Sequence, residues 1–104
     1  MIENSVIEPS ELEILIEQGG DIQIVDITEN NCLKSFEITS DWIPASKLIS
    51  KIFLLKKDIP IILCCEHGND SFMLMKVLKT QYHLSNIISL KSGIYGWATL
   101  RKSV

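Results

Sequence analysis

The densest run of chemically able side chains is Cys65-Glu66-His67-Gly68-Asn69-Asp70-Ser71. A thiol leads, and two carboxylates, an imidazole, an amide and a hydroxyl follow. The apolar stretch before it, residues 59–65, predicts a buried strand that ends at the cysteine. The apolar periodicity after it predicts a helix over residues 71–82, with Phe72, Met75, Leu78 and Tyr82 on one stripe and Leu74 beside it. Asp70 or Ser71 can cap that helix, and Gly68 lets the turn adopt a left-handed or closely approaching backbone. The turn's amides and the first free amides of the helix then converge on one place, an anion site. A cysteine there has its thiolate favoured by the dipole and by hydrogen bonds, which makes it a nucleophile. The competing reading is that Cys65 packs as a small apolar residue at a strand end. Cys64 alternates to the opposite face of the strand and belongs to the core.

Other residues offer chemistry more weakly. Cys32 follows an earlier strand and can act as a thiol that resolves Cys65, or it can be a plain loop cysteine. Asp26 can orient loop backbone by accepting N–H bonds, or simply terminate its strand. His67 can donate to a bound sulfur or stand solvated. Trp42 can line a pocket, although packing is the plainer role for it and for Trp97. Lys91 precedes the Ser92-Gly93 turn as a solvated lysine. His67 and His83 lack the spacing of a zinc site.

These residues need elements to hold them. A helix is expected from Pro9 to the Gly19-Gly20 stop, and a buried strand over residues 22–27. A loop follows over 28–34, a turn at Trp42-Ile43-Pro44, a helix over 45–57, a strand over 86–90 and a last helix over 95–102. Apolar strands alternating with amphipathic helices imply a parallel sheet covered on both faces. In such sheets ligands bind beyond the carboxyl ends of the strands, where the loops after Ile27 and Leu63 both hold cysteines.

Composition sets the frame. The chain has 104 residues, 46% apolar and 22% charged, which suits one globular domain and excludes wholesale disorder. Its net charge is −3 with no Lys/Arg cluster, so nucleic acid is not the expected partner. Residues 1–10 carry no basic region and no apolar stretch, so no signal peptide is expected. No apolar run approaches the roughly 20 residues of a membrane helix. The cysteine count of 3 is odd, which fits free thiols and a reducing cytoplasm. The polar start also suits a domain cut from a longer chain.

The stretch 61–97 resembles the active-site half of a rhodanese-like domain. In that family a strand runs into a catalytic cysteine, then a Cys-x-x-Gly-x-x loop, then Ser and a helix. A second strand, a glycine turn and a Trp come next. Cys65, Gly68, Ser71, Gly93 and Trp97 match these in order. Ile24-Val25-Asp26 resembles the family's strand ending in Asp, and Trp42-Ile43-Pro44-Ala45-Ser46 its His-Ile-Pro-Gly-Ala segment. The resemblance spans nearly the whole chain. It implies an α/β, three-layer fold with a mainly parallel sheet covered by helices on both faces, as a single domain over residues 1–104. It also implies a sulfurtransferase needing no cofactor. Cys65 would take up a sulfane sulfur as a persulfide and pass it to a thiophilic acceptor. The backbone of Glu66, His67, Gly68, Asn69, Asp70 and Ser71 would hold the anionic sulfur. The related phosphatases have a loop one residue longer that ends in Arg.

The chain departs from the pattern where charge matters. Glu66 and Asp70 stand where active members usually carry Arg. Thr28 replaces the Arg after the Asp strand, and Trp42 replaces the His before Ile-Pro. An acidic mouth opposes thiosulfate, a dianion, and opposes thiolate formation. One reading is therefore a sulfurtransferase fed by a protein persulfide or a small persulfide, in which the acids select a basic partner. The setting can be free-standing, or the C-terminal domain of an adenylyltransferase that activates a sulfur-carrier protein. The alternative is a non-catalytic interaction or redox module.

Overall fold

The computed structural model describes residues 5–102. Residues 1–4, part of the segment read as lacking a signal peptide, and residues 103–104 lie outside it. The strands are β1 (Val6–Ile7), β2 (Gln23–Asp26), β3 (Asp41–Trp42), β4 (Ile61–Cys64) and β5 (Ile87–Leu90). They form one sheet in the order β1-β5-β4-β2-β3, with every pair parallel. β4, the most apolar strand, lies at the centre, as a strand buried on both faces must. Its register places Cys64 beside Asp26 of β2 and Leu63 beside Ser89 of β5.

Two apolar layers flank the sheet. Ile61, Leu63 and Cys65 join Val25, Ile43, Leu48, Met75 and Leu78 on one face. Ile62 and Cys64 join Leu12, Leu33, Ile88, Ile94 and Trp97 on the other. The alternation of β4 thus sends neighbouring cysteines to opposite layers, as expected. Helices α1 (Pro9–Glu17) and α4 (Gly93–Lys102) cover the Cys64 face, while α2 (Ala45–Leu48) and α3 (Asn69–Gln81) cover the Cys65 face. Among the described residues no helix is long and apolar enough to cross a membrane.

Four local expectations are corrected. The helix expected over 45–57 is only α2, followed by a 3₁₀ stretch, Ile49–Leu54, with Lys51 out of helical geometry at φ −116°. The buried Gln23 amide explains the break: it donates to the Leu54 carbonyl at 3.0 Å and accepts from the Lys56 amide at 2.8 Å. The loop over 28–34 is partly a 3₁₀ turn, Cys32–Phe36, and the turn at Trp42 is an edge strand. Phe72 and Tyr82 leave the apolar stripe of α3 and stand 41% and 39% exposed, while Ser71 joins Met75 and Leu78 in the buried row. β1 pairs with the edge of β5 and carries too few residues for a periodicity to reveal it.

Candidate active site

Cys65 follows β4 directly and is 4% exposed. Its sulfur accepts the Gly68 amide at 3.1 Å and the Ser71 amide at 3.2 Å. The Ser71 hydroxyl lies 3.4 Å from the same sulfur. α3 begins two residues earlier than its apolar period predicts, with Gly68 at the N-cap in left-handed geometry at φ +96°. Neither Asp70 nor Ser71 is therefore the cap. Ser71 sits in the first turn, where amides lack helical partners, and the Cys65 sulfur takes the place of a capping oxygen.

The loop is clamped from behind by α4. The amides of Ile94 and Tyr95 donate to the carbonyls of Cys65 and Glu66 at 2.8 and 3.1 Å. Gly93, at φ +64°, lets that backbone press in: a Cβ there would meet the Glu66 and Cys65 carbonyl oxygens at 2.4 and 2.5 Å. Gly68 likewise lies against Ser92 and Leu90 backbone, at 3.0 and 3.2 Å from where its Cβ would stand. The glycine turn after β5 and the loop after β4 are thus one interlocked unit.

Except for the buried Ser71, the loop side chains are turned to solvent. Glu66, His67, Asn69 and Asp70 are exposed. His67 stacks on Tyr95 with ring centroids 5.1 Å apart. Behind the loop, an open cavity of about 670 Å³ is lined by residues that include His67, Gly68, Phe72, Ser89 and Lys91. Lys91 is exposed and 3.9 Å from the Glu8 carboxylate.

Asp26 is fully buried and organises the neighbouring loop. Its carboxylate accepts the Thr28 amide at 2.9 Å, the Thr28 hydroxyl at 2.6 Å and the Leu33 amide at 2.8 Å. Thr28 in turn takes the Cys32 amide on its hydroxyl at 2.9 Å and the Trp42 indole N–H on its carbonyl at 2.7 Å. Trp42 is committed to this bracing and is 47% exposed, on a strand separated from β4 by β2.

Cys32 is half-buried and packs with the Cys64 layer, on the face of the sheet opposite Cys65. Burial, then the Asp26 and Glu66 carboxylates, push its thiol above its ordinary range. All three cysteines are free. The structure therefore gathers Cys65, the 66–71 loop and the α4 turn into one site. Asp26 at the end of β2 and Trp42 on β3 brace the adjoining loop, which contains Cys32. Ser89, 2.6 Å from the Ser71 hydroxyl, was not singled out by the sequence. Its signal is a lone hydroxyl in an apolar strand.

Neither a family model nor a curated protein matches the sequence. Solved structures do. A rhodanese-related protein of Thermoplasma volcanium is 29% identical, with a TM-score of 0.76 over 91% of each chain. A rhodanese-like domain protein of Staphylococcus aureus is 19% identical, with a TM-score of 0.73 over 88% of this chain and 89% of that one. The reduced CoADR-RHD protein of Bacillus anthracis is 21% identical with a TM-score of 0.78, and 94% of this chain covers only 17% of it. The last two likenesses speak for the fold alone. Taken with the parallel sheet and the cysteine loop beyond its central strand, these likenesses give the chain a rhodanese-like fold.

Proposed function

We propose that the domain is a persulfide-forming sulfurtransferase that works through Cys65. The observation that carries this reading is the Cys65 sulfur facing the amides of Gly68 and Ser71 at 3.1 and 3.2 Å, with the Glu66, His67, Asn69 and Asp70 side chains exposed. Backbone donors of this kind favour negative charge on sulfur without a metal. In the first step the Cys65 thiolate attacks the outer sulfur of a donor persulfide. A Cys65–sulfur bond forms, the donor's S–S bond breaks, and the donor leaves as a thiol. In the second step an acceptor thiolate attacks the outer sulfur, and Cys65 departs as thiolate.

The donor is a persulfide on a protein or small thiol rather than thiosulfate, because Glu66 and Asp70 stand exposed at either end of the loop. A basic partner surface, including that of a sulfur-carrier protein, complements those acids.

The test is to incubate the protein with a polysulfide and weigh the Cys65 peptide. The expected result is a gain of one sulfur, about 32 Da, absent from the Cys65→Ser protein. A Cys65 that alkylates readily yet never gains sulfur overturns the reading in favour of a binding or redox module.

A further inference from the structure

Ser89 is a buried hydroxyl in a strand that is otherwise Ile87, Ile88 and Leu90, and it is 1% exposed. A hydroxyl buried without a partner is costly, so a partner is expected. The partner here is Ser71, also fully buried, at 2.6 Å between oxygens. The Ser71 oxygen lies 3.4 Å from the Cys65 sulfur and 3.3 Å from the Gly68 carbonyl. Cys65, Ser71 and Ser89 are therefore linked in a row, and the far end of the row belongs to the wall of the 670 Å³ cavity behind the loop.

We propose that Ser89 is a positioning residue for the Cys65 sulfur, acting through Ser71, and that the hydroxyl pair carries the thiol proton to the cavity. The proposal rests on the reading of Cys65 as the reactive thiol. Each hydroxyl has one proton and can accept as well as donate. When Cys65 is a thiol, its S–H donates to Ser71 and Ser71 donates to Ser89. When Cys65 is a thiolate, both directions reverse: Ser89 donates to Ser71 and Ser71 donates to the sulfur. Between the two states the sulfur's proton passes to Ser71, the Ser71 proton to Ser89, and the Ser89 proton to water in the cavity. Protons balance and no electrons move. Both states keep each hydroxyl paired, and a donor behind Ser71 polarises its O–H towards the sulfur. Without Ser89, the Gly68 carbonyl competes for the Ser71 proton unopposed.

The readout is the pH profile of iodoacetamide alkylation at Cys65, followed by weighing its peptide. The surrounding charged and titratable groups stay the same in every variant. They are Glu66, His67 and Asp70 in the loop, Asp26 at the end of β2, Cys32 after it, Cys64 on β4, Lys91 after β5 and Tyr95 on α4. Ser89→Ala is expected to move the profile's midpoint upward by about half a pH unit, Ser71→Ala by about one, and Ser89→Thr to restore it. A Ser89→Ala profile superimposed on the parent's, with Ser71→Ala still displaced, overturns the role of Ser89. So does a displacement that Ser89→Thr fails to correct, which marks packing rather than the hydroxyl. If Ser89→Ala does not fold, Ser89→Thr against Ser89→Val carries the comparison, because the pair differ mainly in the hydroxyl. Alkylation needs no sulfur donor. A protein that shows these shifts but takes up no sulfur fails the sulfurtransfer reading alone.

Discussion

Glu66 and Asp70 set the electrical character of the mouth. Both are exposed, and each lies within the loop that surrounds the Cys65 sulfur. Asp70 also sits in the first turn of α3, where a carboxylate is favoured by the helix dipole. The Glu66 charge also reaches the Cys32 thiol and helps to push it up, after burial and Asp26. An anionic donor must approach through this field, whereas a neutral or basic one need not. Replacing both acids, as Glu66→Arg with Asp70→Arg, is expected to speed sulfur uptake from thiosulfate by about tenfold at low salt. The gain should shrink as salt rises, because the pair is solvent-screened. Thiosulfate kinetics at two ionic strengths check this, and an unchanged rate removes the charge argument.

At the level of elements, the loop after β4 is shaped by the turn after β5. Gly93 is the contact point: its backbone is left-handed and has no room for a side chain against the Cys65 and Glu66 carbonyls. Gly93→Ala is therefore expected to cost about 2–4 kcal/mol, from the positive φ and from backbone displacement. It should also slow Cys65 alkylation, as the clamp on the loop is lost. Gly20→Ala is the control, since nothing lies within 4 Å of its Cβ position and its φ is ordinary. Its melting temperature should move by no more than a degree or two. The interlock was only half legible in the sequence. Gly68 and Gly93 both announce turns, but their meeting is tertiary. Hydrophobic periodicity located β2, β4, β5 and the helices α1, α3 and α4, because each has an apolar face to bury. It missed β1 and β3, which span only 2 residues each. It overextended α2, where Gln23 captures the backbone of Leu54 and Lys56 from another part of the chain. It misplaced the cap of α3, since no sequence rule offers a sulfur as the capping acceptor. Ser89 escaped for the same reason, as its value depends on Ser71 lying across the sheet face.

The whole molecule stores a pH dependence in its core. Cys64 is fully buried in the α1–α4 layer, and burial, then Asp26, then Cys65, holds its thiol well above the ordinary value of 9.0. Below that value the folded and unfolded chains both keep the proton, so this group adds no slope to stability. Above it the unfolded chain releases the proton while the folded chain keeps it. Stability then falls with rising pH, at up to about 1.4 kcal/mol per unit, until pH reaches the raised folded value. Cys32, raised less and partly exposed, contributes a smaller loss of the same sign. Cys64→Ala is expected to lower stability by about 1 kcal/mol at neutral pH, through the lost sulfur's packing. The same variant should flatten the decline between pH 9 and 11 (about the span of ordinary thiol release). The two denaturation curves should therefore converge as pH rises, and curves that stay parallel over that span would show that Cys64 is not the group responsible.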